Sequence, residues 1–166
     1  MAGFDKVENA RSVKGGNWIK DGRYPSFMIK HVEHDQKFRG EMFIVELIVD
    51  QPPTATEPGV EPNPLGSHVS KVFNLDSQMG PVNARGFVIA LFGLDEATLK
   101  PGQIKDLMVF MSGKDDPCRG MRIACETYRK PKKADPKVIM TLENWQTYRQ
   151  DAEMVKAARA TLEGVK

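Results

Sequence analysis

Little in this chain of 166 residues invites covalent or metal chemistry. It has two cysteines, Cys118 and Cys125, and three histidines, His31, His34 and His68. No Cys/His cluster of zinc spacing surrounds the cysteines, and no disulfide is expected in an intracellular compartment. Cys125 falls in an apolar-alternating run and reads as a buried free thiol. His31 and His34, three apart, fall on opposite faces of a strand, and no acidic trio supports them. No metal and no cofactor is expected. Nucleotide-binding and nucleophile motifs are also missing: there is no Walker A, no G-x-G-x-x-G and no G-x-S-x-G. The paired acids of "GLDEA" and "GKDD" stand beside glycine, in turn or cap contexts. Nothing argues for an enzyme. No apolar run approaches the roughly 20 residues of a membrane span. The opening "MAGFDKVENARS" lacks the apolar h-region of a secretory signal. The expected location is therefore the cytoplasm, that of a host if the protein is viral, with no membrane partner.

Net charge is also small, +2, but it is unevenly spread. From Cys118 to Lys137 seven Lys/Arg face two Asp/Glu, a local +5 that leaves −3 for the rest of the chain. A localised basic segment points to a polyanionic partner more than a high total would.

Apolar residues make up 40% of the chain, enough for one domain with a core of its own. Residues 1–21 are polar with Gly15-Gly16, and read as a flexible N-terminal arm whose end Trp18 and Ile19 pin to the body. "RYPSFMIKHVEHDQK" alternates around Phe27 and Ile29. "KFRG" supplies a turn, and "EMFIVELIVD" (41–50) is rich in β-branched and aromatic residues. Phe43, Val45, Leu47 and Val49 are core candidates. Residues 51–65 hold five prolines and predict a long loop without regular structure, of the kind that is often functional or mobile. A third strand follows at 66–76. The period then changes: Ala84, Phe87, Val88, Leu91 and Phe92 mark one face of a helix, with Asn83 as its cap and Gly93 as its end. A shorter helix is expected over 103–111. The last strands are 120–129 and 137–148. Ala152, Val155, Ala158 and Leu162 then give a weak stripe, interrupted by Arg159. The fold class is thus all-β with minor α: a five-stranded, OB-fold-like Greek-key barrel over 22–148, a helix between the third and fourth strands, and a C-terminal helix or tail over 149–166.

The basic segment joins the last two strands. "YRKPKKADPK" carries Arg129, Lys130, Lys132, Lys133 and Lys137, stiffened by Pro131 and Pro136. On the strand before it Met121, Ile123, Cys125 and Thr127 share one face, while Arg122, Ala124, Glu126 and Tyr128 share the other. Arg119 lies just ahead. Cations that track phosphates, beside an aromatic face on which a base can stack, are what a binder of single strands needs. A solubilising surface loop is the bland alternative. Trp145 divides between core and binding roles, and Tyr24 and Phe73 share that ambiguity.

The stretch "DGRYPSFMIKHVEHDQKFRGEMFIVELIV", the strand "GSHVSKVFNL", the helix and "PCRGMRIACETYRK" together resemble the bacteriophage OB-fold single-stranded-DNA-binding proteins over roughly 22–148. These carry a G-x-Y opening, an E-x-F-x-V-x-F/L-x-V second strand and a polar hairpin before the fifth strand. The resemblance implies a non-sequence-specific replication or recombination accessory that coats single-stranded DNA. It also implies replication or recombination proteins as further partners, with self-association into a homo-oligomer left open. By position it assigns Tyr24, Lys30, Lys71, Arg122, Tyr128 and Arg129 to the groove. Arg119, Lys130, Lys132, Lys133 and Trp145 complete the candidate set. The neutral C-terminus departs from the acidic tail that many such proteins use to recruit partners. The alternative function is a structural or adaptor protein, a virion-type β-barrel using its loops for interaction.

Overall fold

Alternation of apolar and polar residues is written most clearly in the second strand, which lies beside the central strand of the sheet. The computed structural model describes residues 18–36 and 40–148. The expectations for residues 1–17, for the turn at 37–39 and for the C-terminal helix lie outside the described residues. Strand β1 (Gly22–Asp35) pairs antiparallel with β2 (Met42–Val49), from Phe27 opposite Val49 to Asp35 opposite Met42. In β2 Phe43, Val45, Leu47 and Val49 are buried, as a strand with one core face requires. Strand β3 (His68–Asn74) lies beside β2, β4 (Arg122–Pro131) beside β1, and β5 (Ile139–Thr147) beside β4. The order is β3-β2-β1-β4-β5, with every neighbour antiparallel.

Among the described residues no strand pairing joins β3 to β5, so the sheet is not closed into a barrel. Its edges nevertheless meet through side chains. Lys71 of β3 donates to Glu143 Oε1 of β5 at 2.6 Å, and each side chain is about one-fifth exposed.

Two α-helices stand between β3 and β4 among the described residues: α1 (Gly80–Phe92) and α2 (Gln103–Met111). The buried residues of α1 include Ala84, Phe87, Val88, Leu91 and Phe92, the face that the sequence period marks. Gly93 ends it in the left-handed conformation, φ 61°. The expected cap is not the observed one. The helix begins three residues before Asn83, with Met79 at the cap position, no side-chain cap, and Pro81 in the first turn. Proline suits that place because its missing N–H would have no helical partner there. Gly80 is required by contact: a Cβ would stand 1.6 Å from the Asn74 carbonyl oxygen. Gly86 is different. It sits mid-helix, at a cost of about 1 kcal/mol relative to alanine, and a Cβ there would meet nothing within 4 Å.

The core fills the space between the inner face of the sheet and α1. Phe87 meets Phe73 at 5.4 Å and Trp145 edge-on at 4.8 Å, and Tyr24 stacks on Phe27 at 4.6 Å. Each such pair contributes roughly 0.5–1.5 kcal/mol beyond its buried area. Cys118 and Cys125 are buried free thiols. Burial pushes the Cys118 thiol up to about 12 and that of Cys125 higher still, so both stay protonated.

The proline-rich loop lacks regular structure, as expected, but it is tied down. Arg23 and Thr54 exchange backbone hydrogen bonds of 2.8 and 3.0 Å. Buried Asn63 accepts from the Tyr24 hydroxyl (2.9 Å) and the Lys20 N–H (2.8 Å), and donates to the Trp18 carbonyl (3.2 Å). Thr56 donates to the Thr127 carbonyl at 2.8 Å. The loop thus covers the end of the sheet where β1 meets β4. Trp18 itself is exposed, and Ile19 packs partly against the core.

Candidate nucleic-acid interface

Strand β4 sorts its side chains by parity. Ile123, Cys125 and Thr127 are buried, and Arg122, Ala124, Glu126 and Tyr128 face outward. Outward parity continues into the hairpin, so Lys130 follows Tyr128 on the same face. Their partners across the ladder are Met140 for Lys130 and Leu142 for Tyr128. Every residue from Tyr128 to Ile139 is exposed. Asp135 organises the turn: its carbonyl accepts from the Val138 N–H (3.0 Å) and its carboxylate from the Lys137 N–H (3.2 Å), while Lys132 N–H donates to Val138 (2.8 Å). Among the described residues no carboxylate lies within ion-pair distance of Lys130, Lys132 or Lys133. Three cations and an exposed phenol ring therefore share a projecting hairpin.

The other candidate cations are differently placed. Arg129 has the opposite parity and donates at 2.6 Å to Asp21, whose side chain is only 6% exposed. Its backbone N–H donates to Glu57 at 3.2 Å. Arg122 donates to Asp50 at 2.7 Å, with its guanidinium 5.9 Å from the Tyr148 ring centre. Arg119 donates to the Lys30 carbonyl (3.2 Å) and lies 3.5 Å from Asp116. The Lys30 ammonium stands 3.4 Å from His68 Nδ1. Arg119, Arg122 and Lys30 thus form a second group, set off from Tyr128 along β4 by roughly 20 Å, six residues of strand.

Three candidates lie inside. Tyr24 is 1% exposed, with its ring on Phe27 and its single hydroxyl hydrogen shared between Lys20 O (2.6 Å) and Asn63 Oδ1 (2.9 Å). Burial raises that hydroxyl to about 12. The register slips between Tyr24 and Phe27, which lets both face inward and removes Tyr24 from the surface. Lys71 shares the parity of buried Val69 and Phe73, stands 5.2 Å from the Phe73 ring centre and is committed to Glu143. Trp145 is partly buried against Phe27 and Phe87. It also walls a cleft of about 300 Å³ between α1 and β5, on the seam that Lys71 and Glu143 cross. Sequence reasoning missed this cleft, because its walls come from segments some sixty residues apart.

Beside Arg119 stands Asp116, a non-glycine residue at φ 46°. Its carboxylate accepts from His31 Nδ1 (2.7 Å) and the Val32 N–H (3.4 Å). Burial pushes the carboxyl up, but the hydrogen bonds from His31 and Val32 and the charges of His31 and Arg119 outweigh it and hold it below the usual range. This arrangement anchors the connection into β4. Among the described residues no group of three His, Cys, Asp or Glu could hold a metal ion, and no helix is long and apolar enough to cross a membrane. No protein-family model, curated protein or solved structure matches the chain.

Proposed function

We propose that this protein binds single-stranded DNA without reading its sequence, through the β4–β5 hairpin. One observation carries the reading: Tyr128 and Lys130 share a face of a hairpin exposed from Tyr128 to Ile139, where Lys130, Lys132 and Lys133 have no described carboxylate within ion-pair distance. Phosphates lie along Lys130, Lys132 and Lys133 and release condensed counterions, while one base stacks on Tyr128, which is 37% exposed. Stacking tolerates every base, so the contact is blind to sequence.

The architecture supports this reading. Strand order β3-β2-β1-β4-β5, with a helix between β3 and β4, is the order of an OB barrel opened along its β3–β5 seam. The Lys71–Glu143 pair draws those two edges together. In an OB barrel the hairpin between the fourth and fifth strands borders the ligand groove. A place in replication or recombination rests on the family resemblance alone.

The test is fluorescence anisotropy with labelled oligo(dT) and with duplex DNA, at roughly 50 and 200 mM salt. The reading expects single strands to bind more tightly than duplex, with affinity falling steeply as salt rises. Absence of binding, or binding indifferent to salt, overturns it.

A further inference from the structure

The seam between β3 and β5 carries a feature that the hairpin does not use. The cleft there, about 300 Å³, lies between the first half of α1 and β5 from Thr141 to Trp145. That volume is at the lower end of small-ligand sites. Its wall on the helix side includes Gly86. No positive φ calls for glycine at this position, and a Cβ would meet no atom within 4 Å. A helix interior disfavours glycine. What Gly86 does accomplish is to leave the helix wall bare, so that an occupant can approach its backbone.

The chemistry of the walls indicates the occupant. Trp145 offers an indole already fixed by its contacts with Phe87 and Phe27. Asn83 brings an amide, with two donors and an acceptor, and Glu143, whose Oε1 is committed to Lys71, brings an Oε2 that is buried and has no hydrogen-bond partner among the described residues. A flat heterocycle with a polar edge matches both. The cleft lies on the α1 side of β5, the face opposite to the one that carries Tyr128 and Lys130. β5 is an edge strand, so only one strand width, roughly 5 Å, separates β4 from the open edge. A strand that leaves Tyr128 and turns over that edge reaches the cleft.

We infer that the cleft receives one unstacked nucleobase of the bound strand, as a second contact separate from the hairpin. This rests on the single-strand reading above. The test substitutes Gly86→Leu, which restores a good helix former and fills the cleft. Tm rises by about 2–4 °C. Affinity for oligo(dT) falls about tenfold, the scale of one stacked base, while a fully abasic oligonucleotide binds both proteins equally. Asn83→Leu, also on the exposed face of the helix, produces the same selective loss. Oligo(dT) binding by both variants within about twofold of the unsubstituted protein overturns the inference, as does a lowered Tm for Gly86→Leu, which would contradict open space at that position. The two readings fail differently. If the unsubstituted protein binds no single strand, the functional reading falls and the base site with it. If it binds and both variants bind alike, the base site alone falls.

Discussion

The body of the sheet and the β4–β5 hairpin use the same basic residues for different purposes. In the body Arg122 meets Asp50, Arg129 meets Asp21, Arg23 meets Glu126 and Lys71 meets Glu143, at distances of 2.6–3.3 Å. These pairs join segments far apart in sequence, and each cation is neutralised where it stands. At the hairpin Lys130, Lys132 and Lys133 are exposed, with no described carboxylate within ion-pair distance. A paired cation fixes geometry, for roughly 0–1 kcal/mol when exposed. A cation left unpaired keeps its potential available to a polyanion. The count of basic residues therefore says less about binding than the position of their acids does.

That contrast can be broken from either side. The largest effect is expected in the body. Phe87, fully buried between Phe73 and Trp145, should lose about 3–5 kcal/mol of stability as Phe87→Ala, measured by urea unfolding. Next comes the hairpin. Neutralising Lys130, Lys132 and Lys133 together to Gln should weaken oligo(dT) binding about a hundredfold by anisotropy, with urea stability changed by no more than about 0.5 kcal/mol. Tyr128→Ala should cost about tenfold in the same titration, the contribution of one stacked base. A full-strength Tyr128→Ala protein would leave only the lysines in the account.

The smallest effect sharpens the body side. Asp116→Asn keeps a residue type that tolerates the left-handed backbone at φ 46° while removing the charge that faces His31 and Arg119. It should cost about 1 kcal/mol at neutral pH. Because the folded Asp116 carboxyl titrates below its unfolded value, its contribution is complete above roughly pH 4 and is lost as pH falls through the lower folded value. The stability gap between the parent and Asp116→Asn should accordingly close in acid. A gap that stays constant from pH 7 to strongly acidic solution would contradict this assignment.

Much of the body was legible because local pattern and final environment agree. The alternation in β2, the helical face through Phe87 and Leu91, the second helix at Gln103–Met111 and the two faces of β4 all appear where periodicity puts them. The start of α1 was not, because a cap expectation at Asn83 competes with a close turn at Gly80 that only the Asn74 carbonyl explains. Tyr24 misleads for a related reason: strict alternation from Phe27 turns it outward, and the register slip turns it back. Lys71 carried a readable signal, since Val69-x-Lys71-x-Phe73 places it on an apolar face, but its partner Glu143 lies 72 residues away. The ion pairs that disqualify or preserve a cation as a binding residue are of this long-range kind, as Asp21 with Arg129 across 108 residues shows. Composition located the basic segment, and only the fold separates its free charges from its committed ones.

The most direct measurement compares the slope of log affinity against log salt for three proteins binding oligo(dT): the parent, the Lys130/Lys132/Lys133→Gln variant, and an Arg122/Arg129→Gln variant. Each phosphate contact on a single strand contributes about 0.7 to that slope. The account predicts a slope shallower by about 2 for the lysine variant and an unchanged slope for the arginine variant. An unchanged slope for the lysine variant, with the loss falling on the arginine variant instead, would contradict it.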